Sequence, residues 1–228
     1  DETYLIDNTV PTISSATTSD TNGNGQLDHI TLQYSETVNI TDGDPANPLP
    51  GYSVDGGYTI ADSNYTASAT GSLTLKLQES GSPDTDATPT VSYNRGATGT
   101  KTVADAANNE QGDGDSETAS DEAPPVVALV ETGSSLTELS ITFSEPVWTA
   151  TGQSGALSST DFTFTDATGG GVSISSVDDP TAGDAMATVK LGGDAETGAD
   201  KLAAASNEIY DQANNAAPTL PEIVEDGT

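Results

Sequence analysis

Cysteine is absent from the 228 residues, which excludes disulfides and thiolate metal sites. In an extracellular protein of this size, that absence points to prokaryotic surface material held by packing and by cations rather than by cross-links. Basic residues are almost as scarce: five Lys and Arg face 36 Asp and Glu, a net charge of −31. Such a chain repels nucleic-acid phosphates and anionic lipid surfaces, so neither is expected as a partner. Its self-repulsion is relieved by molar salt, where the screening length falls to about 3 Å, and halophilic or calcium-rich surroundings suit it. No apolar run approaches the ~20 residues of a membrane span. Aromatics are few, with three Phe and one Trp, and His29 is the only histidine. A Ser-His-Asp triad would have to use that one residue, and scarce aromatics leave little for sugar stacking, so no enzyme is expected. Trp148 with Tyr52, Tyr58 and Tyr65 reads as core and rim rather than as a glycan platform.

What the chain does have is a duplication. Ile30–Val38 (ITLQYSETV) returns as Leu139–Val147 (LSITFSEPV). In each copy apolar residues alternate with polar ones, Ile30, Leu32 and Tyr34 in the first and Leu139, Ile141 and Phe143 in the second, the pattern of a strand with one buried face. Val103-Ala-Asp-Ala-Ala-Asn-Asn109 returns as Ile209-Tyr-Asp-Gln-Ala-Asn-Asn215. The glutamates lie 145 − 36 = 109 positions apart and the aspartates 211 − 105 = 106 apart, so two motifs keep order and spacing. This predicts two tandem domains, residues 1–109 and 123–228, joined by an acidic linker, 110–122.

Short strand candidates separated by Gly, Asp, Asn and Pro fill both halves: 52–54, 58–60, 64–69, 73–78 and 89–93, then 162–165, 172–177, 185–191 and 208–210. They predict all-β antiparallel sandwiches. Residues 42–51, with three prolines, read as a loop, and Ala199–Ala205 as the one helical turn. Pro11 and Pro125 open the two domains. Residues 217–224 look like that opening a third time, which predicts the first strand of a following domain or a strand donated to a neighbouring subunit. The abrupt start at Asp1 and end at Thr228 suggest a processed or excerpted piece.

Phe143-Ser-Glu-Pro-Val147, Ser159-Thr-Asp-Phe-Thr-Phe164, Ile174-Ser-Ser-Val177 and Ile209–Asn215 follow one another in an order that resembles the Ig-like surface repeats of bacteria and archaea. Tyr34–Val38, Tyr52–Val54, Leu73–Leu77, Val91–Tyr93 and Val103–Asn109 follow the same order in the first domain. These are the modules of adhesins and of S-layer or filament proteins, including the cyanobacterial swimming-motility type. The resemblance implies two tandem Ig-like antiparallel β-sandwich domains in an extracellular or cell-surface protein, a building block of a filament, sheath or S-layer that self-assembles as a homopolymer. An adhesin segment binding glycans or another cell is the first alternative, and accessory domains of a secreted hydrolase the second. The family's closing phrase, Asp-x-Ala-Gly-Asn, has Asn108 and Asn214 where glycine is common. Asparagine tolerates the left-handed backbone that this turn needs.

Two constellations carry candidate cation chemistry. The insertion 19–27 with Asp28 after it places Asp20, Asn22, Asn24, Gln26 and Asp28 at alternate positions around Gly25, like the calcium loops of dockerin-like and thrombospondin-type repeats. Calcium (Ca2+), with six to eight hard oxygen ligands, suits that set. The twelfth position is Thr31 rather than the bidentate Glu of an EF-hand. The plain alternative is a Gly/Asn-rich hairpin. The second constellation groups Glu36 with Asp105, Asn108 and Asn109, and Glu145 with Asp211, Asn214 and Asn215, near the linker acids Asp113, Asp115 and Asp121. Cadherin-like modules gather calcium at such places. Its plain alternative has the Asp-Asn pairs capping a turn.

Overall fold

The structure is a computed structural model that describes residues 7–40, 51–64, 70–95, 103–178 and 181–227. The chain divides into two compact units. Unit 1 comprises Asp1–Ser19, Asp28–Glu79 and Ala87–Asp121, and unit 2 comprises Asp20–Leu27, Ser80–Asp86 and Glu122–Thr228.

Unit 1 carries β1 (Ile13–Ser19), β2 (His29–Ile40), β3 (Tyr52–Val54), β4 (Thr59–Asn64), β5 (Thr70–Gln78), β6 (Thr90–Tyr93), β7 (Val103–Ala104) and β8 (Ser116–Thr118). One sheet runs β1-β2-β5-β4, with β7 added to the end of β2, and a second runs β3-β6-β8. A parallel bridge, Thr17 to Ser120, joins them. Unit 2 carries β9 (Val127–Thr132), β10 (Glu138–Phe143), β11 (Phe162–Thr165), β12 (Ile174–Asp178), β13 (Met186–Leu191), β14 (Lys201–Ala204) and β15 (Glu222–Glu225). Its strands follow one path, β11-β14-β15-β9-β10-β13-β12, and the β15–β9 pair is parallel. Taken in chain order, the neighbours are the same in both units. β8 and β15 occupy the same place: β8 lies antiparallel to β6 and is followed by the parallel bridge to β1, and β15 lies antiparallel to β14 and parallel to β9.

The duplicated stretch is the heart of each core. Ile30, Leu32, Tyr34 and Val38 are buried in unit 1, as are Leu139, Ile141, Phe143 and Val147 in unit 2. Cross-strand partners complete the face: Leu32 opposite Leu73 and Ile30 opposite Leu75, then Leu139 opposite Val189 and Ile141 opposite Ala187. Fully burying each Val, Leu, Ile or Phe side chain among them contributes roughly 1.5–3 kcal/mol.

Three expectations are corrected. Residues 110–122 are not a free linker, because unit 1 extends to Asp121, with Gln111 buried and β8 hydrogen-bonded to β6. Ala199–Ala205 is not helical. Leu202, Ala203 and Ala204 are buried in β14, which takes the edge of β11 from Phe162 to Thr165. The tail, read as the opening of a further domain or a donated strand, contains β15 and fills the gap between β14 and β9 of its own unit. Backbone groups on both neighbouring strands find their partners there, which outweighs the tail's likeness to an opening segment. The proline-rich loop at 42–50 and the strand candidate at 65–69, including Tyr65, lie outside the described residues.

A buried polar chain holds β8's approach in place. The Tyr34 and Tyr52 hydroxyls lie 2.6 Å apart, and the Tyr52 hydroxyl donates to Gln111 Oε1 at 2.8 Å. Gln111 Nε2 donates to Asp115 Oδ2 at 2.7 Å, which also accepts the Ile13 amide at 2.8 Å. Burial pushes both phenols well above their ordinary value, so both hydroxyls keep their protons at neutral pH. Gln111→Ala would remove the acceptor of the Tyr52 hydroxyl and a donor to Asp115, and we expect a loss of roughly 1–3 kcal/mol in unit 1, read as a lower denaturant midpoint. Tyr52→Phe in the same background should then cost less than it does alone.

Asp166 organises the turn between β11 and β12. Its carboxylate accepts the Val172, Gly169 and Thr168 amides at 2.9, 2.9 and 3.0 Å and the Thr168 hydroxyl at 2.9 Å. The Val172 amide, then the Thr168 hydroxyl, hold its pKa down to about 2 from an ordinary 3.8. A depressed folded-state value means the stabilisation is complete above 3.8 and disappears as pH falls through about 2. Carboxyl NMR should show that titration, and Asp166→Asn should flatten the acid slope of stability in that window.

Candidate metal centre

The duplicated glutamate and aspartate meet because the strands that carry them pair. Glu36 follows the inward parity of Ile30, Leu32 and Tyr34, but it sits where the β2–β5 pairing breaks register between Gln33 and Val38. Asp105 follows directly on β7, whose Val103 and Ala104 lie opposite Ile40 and Asn39 at the end of β2. Unit 2 repeats this. Trp148 and Tyr210 exchange backbone hydrogen bonds of 2.8 Å each, and that bridge sets Asp211 beside Glu145. A duplicated spacing in sequence thus becomes a duplicated acidic pair in space.

In unit 1 a third carboxylate joins. Asp7, Glu36 and Asp105 each offer a carboxylate oxygen, all within 4.8 Å of one another. Removal from water, then the charges of Asp105 and Asp7, push the Glu36 carboxyl above its ordinary value. Burial pushes Asp105 the same way, but hydrogen bonds from the Asn109 side chain and backbone outweigh it and hold that carboxyl below its ordinary value. In unit 2, Glu145 and Asp211 bring carboxylate oxygens within the same 4.8 Å, and both are almost fully buried. Thr85 Oγ1 lies 2.7 Å from Glu145 Oε1 and donates to it.

The turns after the two aspartates match bond for bond. Asp105 Oδ1 accepts the Asn109 amide and Oδ2 its side-chain amide, both at 2.7 Å. Asp211 does the same with Asn215, again at 2.7 Å. Asn108 and Asn214 have φ of 66° and 74°, the left-handed conformation expected of them. They shape the turn, and Asn214 Oδ1 accepts the Gly152 amide at 2.7 Å. The capping role of the Asp-Asn pairs and a carboxylate cluster therefore coexist on the same residues.

The loop is built differently. Asp20 accepts the Gly23 and Gly25 amides on its two oxygens at 2.8 and 2.7 Å. Asn22 and Asn24 each accept, at 3.0 Å, the amide two residues on. Gln26 Oε1 accepts the Gly81 amide, and Asp84 Oδ1 the Leu27 amide at 2.8 Å. Asp28 belongs to unit 1, where its carboxylate meets His29 Nδ1 at 2.7 Å. Among the described residues, the carboxylate clusters do not include this loop. Of the linker acids, Asp115 serves the buried polar chain described above.

Three carboxylates supply hard, anionic oxygens. Calcium takes six to eight oxygens at flexible geometry, so such a cluster would leave places for water or backbone carbonyls. Sequence reasoning missed Asp7. The available signal was its spacing: Asp7 precedes Pro11 by four positions, as Asp121 precedes Pro125.

Among the described residues, no helix is long and apolar enough to cross a membrane. Comparison with known families finds no matching family model, and comparison with curated proteins finds no matching relative.

Proposed function

We propose that this chain is an extracellular structural protein, a pair of Ig-like repeat modules that serves as a building block of a cell-surface filament, sheath or S-layer and is stabilised by calcium and salt. The observation that carries the reading is that two units with the same strand neighbours each present the duplicated Glu-Asp pair at the end of the same two paired segments. Repetition of a whole strand order is the mark of a modular array, in which each unit is a copy of one supersecondary plan. The order also supports the sandwich reading: β1-β2-β5-β4 and β3-β6-β8 follow the ABED and CFG sheets of an immunoglobulin-like domain.

In this reading the acidic surface is solvated in brine, and calcium enters at Asp7, Glu36 and Asp105 and at Glu145 and Asp211, neutralising carboxylates that repel one another in its absence. The chain associates with further copies of itself once that charge is screened. Light scattering and thermal unfolding, each in EGTA and in millimolar calcium at low and at molar NaCl, test it. Calcium-dependent stabilisation that persists in molar salt, with growth of large particles, is the expected result. A response to ionic strength alone would refute the calcium sites, and a monomer under every condition would refute the assembly role.

A further inference from the structure

The loop Asp20–Leu27 contains two Asn-Gly steps, Asn22-Gly23 and Asn24-Gly25. Such a step is the most open setting for imide formation, because glycine puts no Cβ beside the attacking backbone nitrogen. In that reaction the glycine nitrogen bonds to the asparagine Cγ, and the side-chain nitrogen leaves as ammonia, taking up the proton that the glycine amide gives up. Water then opens the five-membered imide to aspartate or isoaspartate. Water is the only co-reactant.

Here one carboxylate holds both nucleophiles. The Gly23 amide donates to Asp20 Oδ1 at 2.8 Å and the Gly25 amide to Oδ2 at 2.7 Å. The electrophiles are held as well, since Asn22 Oδ1 accepts the Asn24 amide and Asn24 Oδ1 the Gln26 amide, each at 3.0 Å. Ring closure must swing each Cγ toward the next residue's nitrogen, which pulls Oδ1 off its donor. It must also turn the glycine peptide plane away from Asp20. The backbone has little freedom to do so at the second step: Gly25 is buried at φ 84°, and a Cβ built on it would lie 3.1 Å from Ser144 Cβ and Val126 Cγ2. Both asparagine side chains are exposed, so water is at hand.

We propose that Asn22 and Asn24 are latent deamidation sites and that Asp20 is the positioning residue that keeps both unreactive in the folded protein. Conversion at either adds a carboxylate to the loop, and the isoaspartate product adds a backbone methylene to a segment packed tightly at Gly25.

The test is peptide mapping by mass spectrometry during incubation at mildly alkaline pH, scoring replacement of side-chain ammonia by hydroxyl and the isoaspartate product at each asparagine. Folded wild-type protein should convert more slowly at both sites than the same protein in urea. Asp20→Ala should accelerate both by about tenfold or more, the scale of losing a hydrogen bond to a charged acceptor. Asp84→Ala frees the Leu27 amide at the far end of the loop but leaves the Asp20 bonds, and should accelerate conversion far less. Equal rates in folded and urea-unfolded wild type would overturn the proposal. So would an Asp84→Ala rate matching that of Asp20→Ala, since loosening alone would then suffice. Should circular dichroism show Asp20→Ala unfolded, Asp20→Asn decides: it keeps one acceptor oxygen, so one site should turn fast while the other stays slow. Two slow sites in that variant would overturn the assignment.

Discussion

In about 10 mM calcium the protein is expected to melt about 10 °C higher than in EGTA, and the difference should survive molar NaCl. The size follows from linkage: extracellular calcium modules bind at roughly 10⁻⁴–10⁻³ M, so this concentration is about 10–100 times Kd, enough to shift a domain of this size by that much. Glu36→Gln should remove the calcium increment of unit 1, and Glu145→Gln that of unit 2, where the single tryptophan, Trp148, reports the transition by fluorescence. In EGTA the same substitutions should leave the protein as stable as wild type or more so, because each deletes one charge from a like-charged cluster. Acidification provides a further check. The Glu36 carboxyl lies above its ordinary 4.5, raised by loss of water and then by Asp105 and Asp7. Its contribution to stability is therefore present below 4.5 and lost as pH rises through the raised value. The calcium and EGTA melting curves of unit 1 should accordingly converge as pH falls. A calcium effect that molar salt abolishes, or that neither glutamine variant touches, would rule these sites out.

Val224→Asp should unfold unit 2 outright or lower its melting temperature by tens of degrees. Val224 is fully buried on β15, opposite Val130 of β9. Its amide donates to the Asp200 carbonyl at 2.9 Å and its carbonyl accepts the Gly198 amide at 2.7 Å. An unpaired charge there costs several kcal/mol, against a total stability of about 5–15 kcal/mol for a domain. The neighbouring residue supplies the control. Ile223 points the other way on the same strand and is 41% exposed, so Ile223→Asp should change stability by no more than about 0.5 kcal/mol. Trp148 fluorescence in denaturant separates the two. If both variants unfold alike, the tail is not the strand that closes this sheet.

These two expectations rest on parts of the molecule that were unequally legible. The acidic pair could be anticipated from Glu36 and Glu145 at one spacing and Asp105 and Asp211 at nearly the same spacing. The tail could not, because Pro218 to Val224 has the composition of an opening strand and nothing local says which edge it will fill. Asp7 was overlooked for a similar reason: it lies some thirty residues from Glu36 and about a hundred from Asp105 in the chain.

Sequence by itself determined the duplication, the all-β character and the inward face of β2 and β10, together with the left-handed turns at Asn108 and Asn214. The duplication is written in the order of residues itself; the others depend on neighbours one to four residues away, through side-chain alternation or through the backbone conformations that asparagine tolerates. Only the tertiary structure decided that residues 116–118 and 222–225 close their units, that Lys201–Ala204 is extended, and that Asp7 stands beside Glu36 and Asp105. Those outcomes depend on which distant backbone donors and acceptors lack a partner, and the local pattern of a strand does not encode that.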